Sequence, residues 1–314
     1  MDDRYKIISR IGRGAFADVF LGKHRYKRGG AGAEETVAIK VESKDSPTEG
    51  IALLHECKIL LYLSAGNTAA ACRGVPNVRY FENGAENVFM VMDYFEISLE
   101  NLAATPAVKY NIFRETFLIL KSIHAKYVVH RDIKPGNIML RRRGGGAAAR
   151  EYEPFLIDFG VAKVFVDEEG EHIPNKKTAD LIGTPKYVSI FVHERNEPSK
   201  RDDYISLGYV YLYMLRGGGA RALPWGGEAA AEQEIISNKK MWSRDFEPKT
   251  PEEEILKTYL DNCHKMLYMD NYDYVFPARR LRRGGGGGGG GGGEEDVDES
   301  DLETEEEIIS QLRK

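Results

Sequence analysis

Two strings hold the side chains that could do chemistry. His130-Arg131-Asp132-Ile133-Lys134-Pro135-Gly136-Asn137 places an acid, a lysine and an amide in one tight stretch, and Asp158-Phe159-Gly160 adds a second acid downstream. Phosphoryl transfer from Mg-ATP needs this set: one carboxylate to orient the attacking hydroxyl, and a carboxylate with an amide to hold the metal. Either string alone carries little. Both together, in this order and spacing, make chance a negligible explanation. In this reading Asp132 orients the hydroxyl and accepts its proton, and Lys134 stabilises the transferring phosphoryl group. Asn137 and Asp158 hold Mg2+.

The nucleotide side is written upstream. Ile11-Gly12-Arg13-Gly14-Ala15-Phe16-Ala17-Asp18-Val19 matches GxGxxGxV except that Ala17 stands at the third glycine. Gly12 and Gly14 let backbone N–H groups approach phosphates closely, and Ile11 and Val19 are placed to cover a base. A lone glycine-rich turn is more often a plain hairpin, and a lone lysine on a strand is more often solvated. Here Lys40 ends the run Val37-Ala38-Ile39-Lys40, and Glu56 sits among apolar neighbours on the next helical stretch. Lys40 is expected to pair with Glu56 and hold the α/β-phosphates, with Ala38 against the base. Met92 closes the back of the adenine pocket. The carbonyl of Asp93 and the N–H of Phe95 are expected to meet the base edge.

Elements to position these groups follow from periodicity. Tyr5 to Gly22 reads as strand, glycine-rich turn and strand, and Val37 to Val41 as a short strand. Ile51 to Leu63 reads as a helix, and Val88 to Met92 as a buried strand. Tyr110 to Lys126 is an amphipathic helix before the catalytic string, Phe155 to Ile157 a strand feeding Asp158, and Asp203 to Leu215 a buried helix. Glycine and alanine runs at 29–33, 144–149, 217–220, 226–231 and 284–293 read as loops or linkers. A β-rich part followed by a helical one reads as α+β and is the order expected for a two-lobed protein-kinase fold, as the two strings imply. The N-lobe is expected over 1–94, the C-lobe over 95–283, and a glycine linker with an acidic tail over 284–314.

The segment after Asp158 lacks an Ala-Pro-Glu motif. It reads Gly183-Thr184-Pro185-Lys186-Tyr187-Val188-Ser189-Ile190, then His193, then Ser199-Lys200-Arg201-Asp202-Asp203-Tyr204-Ile205-Ser206-Leu207-Gly208-Tyr209. This resembles the casein kinase 1 family, whose pattern is GTxxYxSIxxH followed by SRRDDLESLGY. Gly-Ala-Phe-Ala-Asp at 14–18, Ser98-Leu99-Glu100-Asn101-Leu102 and Leu223-Pro224-Trp225 resemble that family's GSFGD, SLEDL and LPW. Asp270-Asn271-Tyr272-Asp273-Tyr274 is similar to its PDYSYL, so the likeness spans roughly residues 5–276. The resemblance implies a Ser/Thr protein kinase using ATP and Mg2+ on protein substrates, acidic or phosphorylated. It also implies activity without activation-segment phosphorylation, and a buried Asp203 that fixes the catalytic loop from below. Lys186 keeps the positive charge with which the family binds a substrate anion. The family's basic cluster after LPW is replaced here by Glu228-Ala229-Ala230-Ala231-Glu232, which sets preference for primed substrates in question. The vaccinia-related kinases share the missing Ala-Pro-Glu and rank second. A catalytically weak kinase-fold scaffold is the rival from another class, and the presence of Lys40, Asp132 and Asp158 argues against it.

Composition bounds the rest. Of a net charge of −5 over 314 residues, the tail from Glu294 to Lys314 carries −8, leaving the body near +3. That balance disfavours nucleic acid as partner and suggests that the tail competes with anions for the body, although acidic tails are mostly solvated. Cys57, Cys72 and Cys263 have no metal-ligand spacing, and their odd number argues for a reducing compartment. The opening MDDRYKIISR has no apolar signal core, and no window reaches the ~20 apolar residues of a membrane helix. The expectation is therefore no membrane, and a cytoplasmic protein with nuclear or cytoskeletal association open. It would act as a monomer or as a subunit of a larger assembly.

Overall fold

β-branched and aromatic residues alternate with polar ones through the first hundred positions, and they build a five-stranded antiparallel sheet in the order β1-β2-β3-β5-β4. The strands are β1 (Tyr5–Arg13), β2 (Asp18–Arg28), β3 (Ala31–Ser43), β4 (Val78–Asn83) and β5 (Asn87–Asp93), with helix α1 (Ile51–Ser64) between β3 and β4. The computed structural model describes residues 2–14, 16–28, 31–46, 48, 50–65, 71–144, 151–226, 230–272, 274 and 276.

Strand alternation splits β3 and β5 between two faces. Val37, Ile39 and Val91 join Tyr5 in a small cluster on one face. Ala38, Met90 and Met92 join the main core with Leu53, Cys57 and Leu60 of α1 on the other. The run at 29–33 is not all loop. Ala31 to Ala33 belong to β3 and pair with Arg28, Lys27 and Tyr26 of β2. Cross-strand pairing extends the ladder through residues of low β-propensity, so β3 begins six residues before Val37.

The C-terminal part is mainly helical. It holds β6 (Ile97–Ser98), α2 (Pro106–Ala125), β7 (Val128–Val129), β8 (Ile138–Arg142), β9 (Tyr152–Leu156) and β10 (Lys163–Val164), then α3 (Ile190–His193), α4 (Lys200–Leu215), α5 (Glu232–Asp245) and α6 (Pro251–Lys265). Helix α2 starts four residues before Tyr110 because Thr105 caps it, its hydroxyl accepting from Val108 N–H, and Pro106 fits the first turn. Helix α4 starts three residues before Asp203 at a capping box formed by Ser199 and Asp202. It is buried from Lys200 to Met214, with Tyr211 stacked on Phe113 of α2 at 4.3 Å and the Tyr259 hydroxyl of α6 bonded to the Tyr204 carbonyl. Strand β9 ends at Leu156, so Ile157 already belongs to the turn that presents Asp158.

Among the described residues no helix is long and apolar enough to cross a membrane. Ala15, residues 145–150 and 227–229, and the linker and acidic tail at 284–314 lie outside the described residues.

Candidate active site

The catalytic string is held from below and aimed from within. Asp203, on the buried helix α4, accepts from His130 N–H at 2.8 Å and Arg131 N–H at 2.9 Å, and lies 2.9 Å from His124 Nε2. These bonds fix the turn in which Arg131 takes a left-handed φ of 69°. Such a conformation costs a non-glycine residue about 1–3 kcal/mol and persists only where its surroundings impose it. Burial alone would raise the Asp203 carboxyl, but the hydrogen bonds and His124 outweigh that and hold it below its ordinary value.

Asp132 then gathers the polar groups around it. Its Oδ2 accepts from Lys134 Nζ at 2.7 Å and from Asn137 Nδ2 at 3.1 Å. Asn137 Nδ2 also donates to the Asp132 carbonyl at 2.9 Å, which commits the amide nitrogen and leaves the amide oxygen as a ligand. Asp132 Oδ1 accepts the Thr184 hydroxyl at 2.7 Å, and Lys134 Nζ reaches the same hydroxyl at 3.2 Å.

Sheet register assembles the nucleotide side. Gly12 pairs with Val19, Val19 with Lys40, and Lys40 with Met90, while Ala38 pairs with Met92. Directly paired residues share a face, so Val19, Ala38, Lys40 and Met92 line one surface of the sheet. Gly14 N–H bonds the Ala17 carbonyl at 2.8 Å, and a Cβ on Gly14 would stand 3.0 Å from that oxygen, so a small residue is needed there. Ile11 is half exposed beside the turn. Asp93 turns its carboxylate away from this face to Asn77 and to Arg79, which donates from Nε at 3.0 Å and Nη2 at 2.8 Å. Phe95 buries its ring on Phe155 at 4.4 Å, so backbone is what it can offer a base.

Lys40 bonds both Glu56 oxygens at 2.7 Å and Asp158 Oδ1 at 3.2 Å. Burial alone would pull the Lys40 ammonium down; the Glu56 and Asp158 charges outweigh it and raise it above its ordinary value. Burial would likewise raise Asp158, and the Lys40 charge reverses that and lowers it. Asp158 also adopts a left-handed φ, 68°, and its side chain remains 45% exposed. One half-exposed carboxylate and one amide oxygen are hard oxygen donors, too few for a cage of their own. They suit Mg2+, which keeps waters and takes phosphate oxygens for its remaining positions.

A protein kinase domain model matches residues 5–273. The chain belongs to the protein kinase family.

The kinase's activation segment is held by contacts that the motifs did not reveal. Arg131 donates to Glu197 at 2.8 Å, and Lys163 lies 3.3 Å from the same carboxylate. Gly183, at φ 95°, passes so close to the Arg131 carbonyl that a Cβ would meet it at 2.5 Å. Behind the segment, Lys239 of α5 is 1% exposed and donates to the Pro185 and Val188 carbonyls at 2.7 Å each, with His193 Nε2 at 3.1 Å. His193 Nδ1 faces Glu232 at 3.1 Å, and Arg195 forks onto the same carboxylate at 2.8 and 3.0 Å. Burial and the Lys239 charge lower His193, so Nδ1–H donates to Glu232 while Nε2 accepts from Lys239. Glu232 is drawn down to about 2 by Arg195 and His193.

Lys186 is half-buried. Its carbonyl accepts Trp225 Nε1–H at 2.8 Å, and among the described residues its ammonium makes no ion pair. It is not joined by Arg195, whose charge Glu232 has taken, and Arg216 lies against Glu253 at 3.7 Å. Glu197 and Lys239 escaped sequence reasoning because nothing local marks a charged residue as buried. The spacing of Ile235, Lys239 and Trp242 on one helical face was the available sign for Lys239.

Proposed function

We propose that this protein is a Ser/Thr protein kinase of the casein kinase 1 type, transferring the ATP γ-phosphate to protein hydroxyls in acidic contexts. The Thr184 hydroxyl carries the reading. It sits 2.7 Å from Asp132 Oδ1 and 3.2 Å from Lys134 Nζ, the geometry a substrate hydroxyl would need. Asp132 accepts the proton of such a hydroxyl as it attacks. Lys134 offsets charge on the transferring group, and Lys40, fixed by Glu56, meets the α/β-phosphates. Asn137 Oδ1 and Asp158 would hold Mg2+, which when bound draws charge from the phosphate oxygens. Val19, Ala38 and Met92 enclose the base, the backbone of Asp93 and Phe95 reads its edge, and Ile11, Gly12 and Gly14 cover the nucleotide. The cleft would lie between an N-lobe that ends at Tyr94 and a C-lobe that begins at Phe95.

The lone ammonium of Lys186 favours an acidic or phosphorylated residue on the protein substrate. With Arg195 neutralised, it is a single charge rather than a cluster, so phosphate priming should help only modestly. A peptide-library assay with Mg-ATP tests both points. Ser and Thr peptides with nearby acids should be labelled by the wild type and not by Asp132→Asn. Equal labelling by the two proteins, or a preference for Tyr, would sink the reading.

A further inference from the structure

Helix α1 carries Glu56, yet it has no cap of its own. Its N-cap residue is Gly50, at φ 81°, with no side-chain bond to the first turn and no acidic residue within that turn. An uncapped N-terminus leaves N–H groups unpaired beside the positive end of the helix dipole. A carboxylate from the adjoining strand supplies the missing acceptor. Glu42 of β3 accepts Leu53 N–H on Oε2 at 2.7 Å and Gly50 N–H on Oε1 at 3.2 Å. Ser46 Oγ, at 3.3 Å, and Thr48 Oγ1 donate to Oε1 as well, and Glu42 is fully buried.

Position makes this more than a loop staple. Glu42 follows Lys40 by two residues on the same strand, so both point to the same face. Leu53 precedes Glu56 by about one turn of α1. Strand and helix are therefore tied twice, by Glu42 at the first turn and by the Lys40–Glu56 pair one turn later. The first tie bears on the second because Lys40 has another carboxylate within reach, Asp158 at 3.2 Å. A helix free to swing from the sheet would leave Lys40 to Asp158, and Asp158 is needed for the metal.

We propose that Glu42 is a positioning residue for phosphoryl transfer: a remote N-cap, delivered by the strand that carries Lys40, that holds α1 against the sheet and keeps Glu56 on Lys40. This rests on the assignment of Lys40 and Glu56 given above. With Glu42 in place, the helix needs neither a phosphate nor a partner protein to reach its working position.

The test is a double-mutant cycle on the full chain, with initial rates against an acidic Ser peptide chosen from the library and melting followed in parallel. Glu42→Gln should lower kcat/KM for ATP about tenfold in the wild-type background and under about twofold in Glu56→Ala. The peptide KM should stay within about twofold in both. A residue that merely keeps the loop folded would cost the same factor in both backgrounds, and that result would overturn the proposal. If Glu42→Gln does not fold, Thr48→Val withdraws one donor from the carboxylate instead. It should cost about threefold in wild type and nothing measurable in Glu56→Ala, and an equal loss in both would again overturn the proposal. Wild-type turnover by Glu56→Ala alone would instead sink the Lys40–Glu56 assignment.

Discussion

Lys40 and Lys239 are both buried in this kinase, and they are buried in opposite company. Lys40 meets two carboxylates, Glu56 and Asp158. Among the described residues Lys239 meets none: it faces two carbonyls, the His193 imidazole and the rings of Tyr209 and Trp225, at 5.3 and 5.6 Å. Removing an ammonium from water costs several kcal/mol in either place. Opposite charge offsets that at Lys40 and raises its pKa, whereas at Lys239 burial prevails and the pKa falls well below 10.5. The first lysine is kept charged, as the proposed contact with phosphate requires. The second has three N–H groups for three acceptors and serves to fasten backbone, holding the Pro185–Val188 stretch behind the peptide side. The same residue type thus divides between chemistry and scaffold according to whether carboxylates attend it.

The sharpest way to break this contrast is to remove the charged partner. Lys40→Met should keep the fold and lose at least about 100-fold in kcat/KM, because a positioned charge in a dry phosphate site contributes about 3 kcal/mol or more. Melting and steady-state kinetics on the purified variant decide it. Near-wild-type turnover would mean that the carboxylate-attended lysine is no more catalytic than the other one.

Lys239→Met should act at the other end. Three acceptors lose their donor, at about 1–3 kcal/mol for a buried group left unpaired, while a costly buried charge also disappears. Melting should therefore shift by only a few degrees while the Pro185–Val188 stretch loosens. The expected result is a peptide KM raised about tenfold with the ATP KM unchanged. Equal losses in both KM values would erase the division of labour between the lysines.

What the sequence made legible follows the same division. Lys40, Asp132, Asn137 and Asp158 sit in short strings, so local spacing singles them out as candidates, and the α+β architecture followed from periodicity. Glu42, Glu197 and Lys239 act on partners that folding brings near: Leu53, Arg131, and the Pro185 and Val188 carbonyls. No local pattern distinguishes Glu42 or Glu197 from a solvated charge, and only its place on the helical face of Ile235 and Trp242 marks Lys239. Boundaries failed for a related reason. Helix α2 begins at a cap and a proline that lie outside the apolar repeat, and β3 begins where pairing with β2 begins.

Glu197 gives a smaller effect. Many kinases need a phosphate on the activation segment to pair with the arginine before the catalytic aspartate. Here Arg131 already holds a carboxylate at 2.8 Å with Lys163 beside it. Phosphatase treatment should leave the initial rate unchanged, and Glu197→Gln should lower kcat several-fold, about 1 kcal/mol for a partly buried pair. A collapse after phosphatase would show that the segment depends on a phosphate that Glu197 does not replace.

The smallest effect is one of pH, and its sign separates the lysines. The folded pKa of Lys239 lies below its unfolded value of 10.5. Between those two values the unfolded chain binds a proton that the folded chain does not, so stability rises with pH across that window. The folded pKa of Lys40 lies above 10.5. Its contribution is fully present below 10.5 and is lost as pH climbs from there through the folded value, so it adds no slope below 10.5. Urea midpoints for wild type and Lys239→Met at a series of pH values up to 10.5 isolate the Lys239 share, because the other titrating groups cancel in the difference. Wild type should gain on the variant by up to about 1.4 kcal/mol per pH unit. Parallel profiles would mean that the three acceptors and two ring faces hold the Lys239 ammonium as firmly as carboxylates hold Lys40, and the distinction between the two sites would fall.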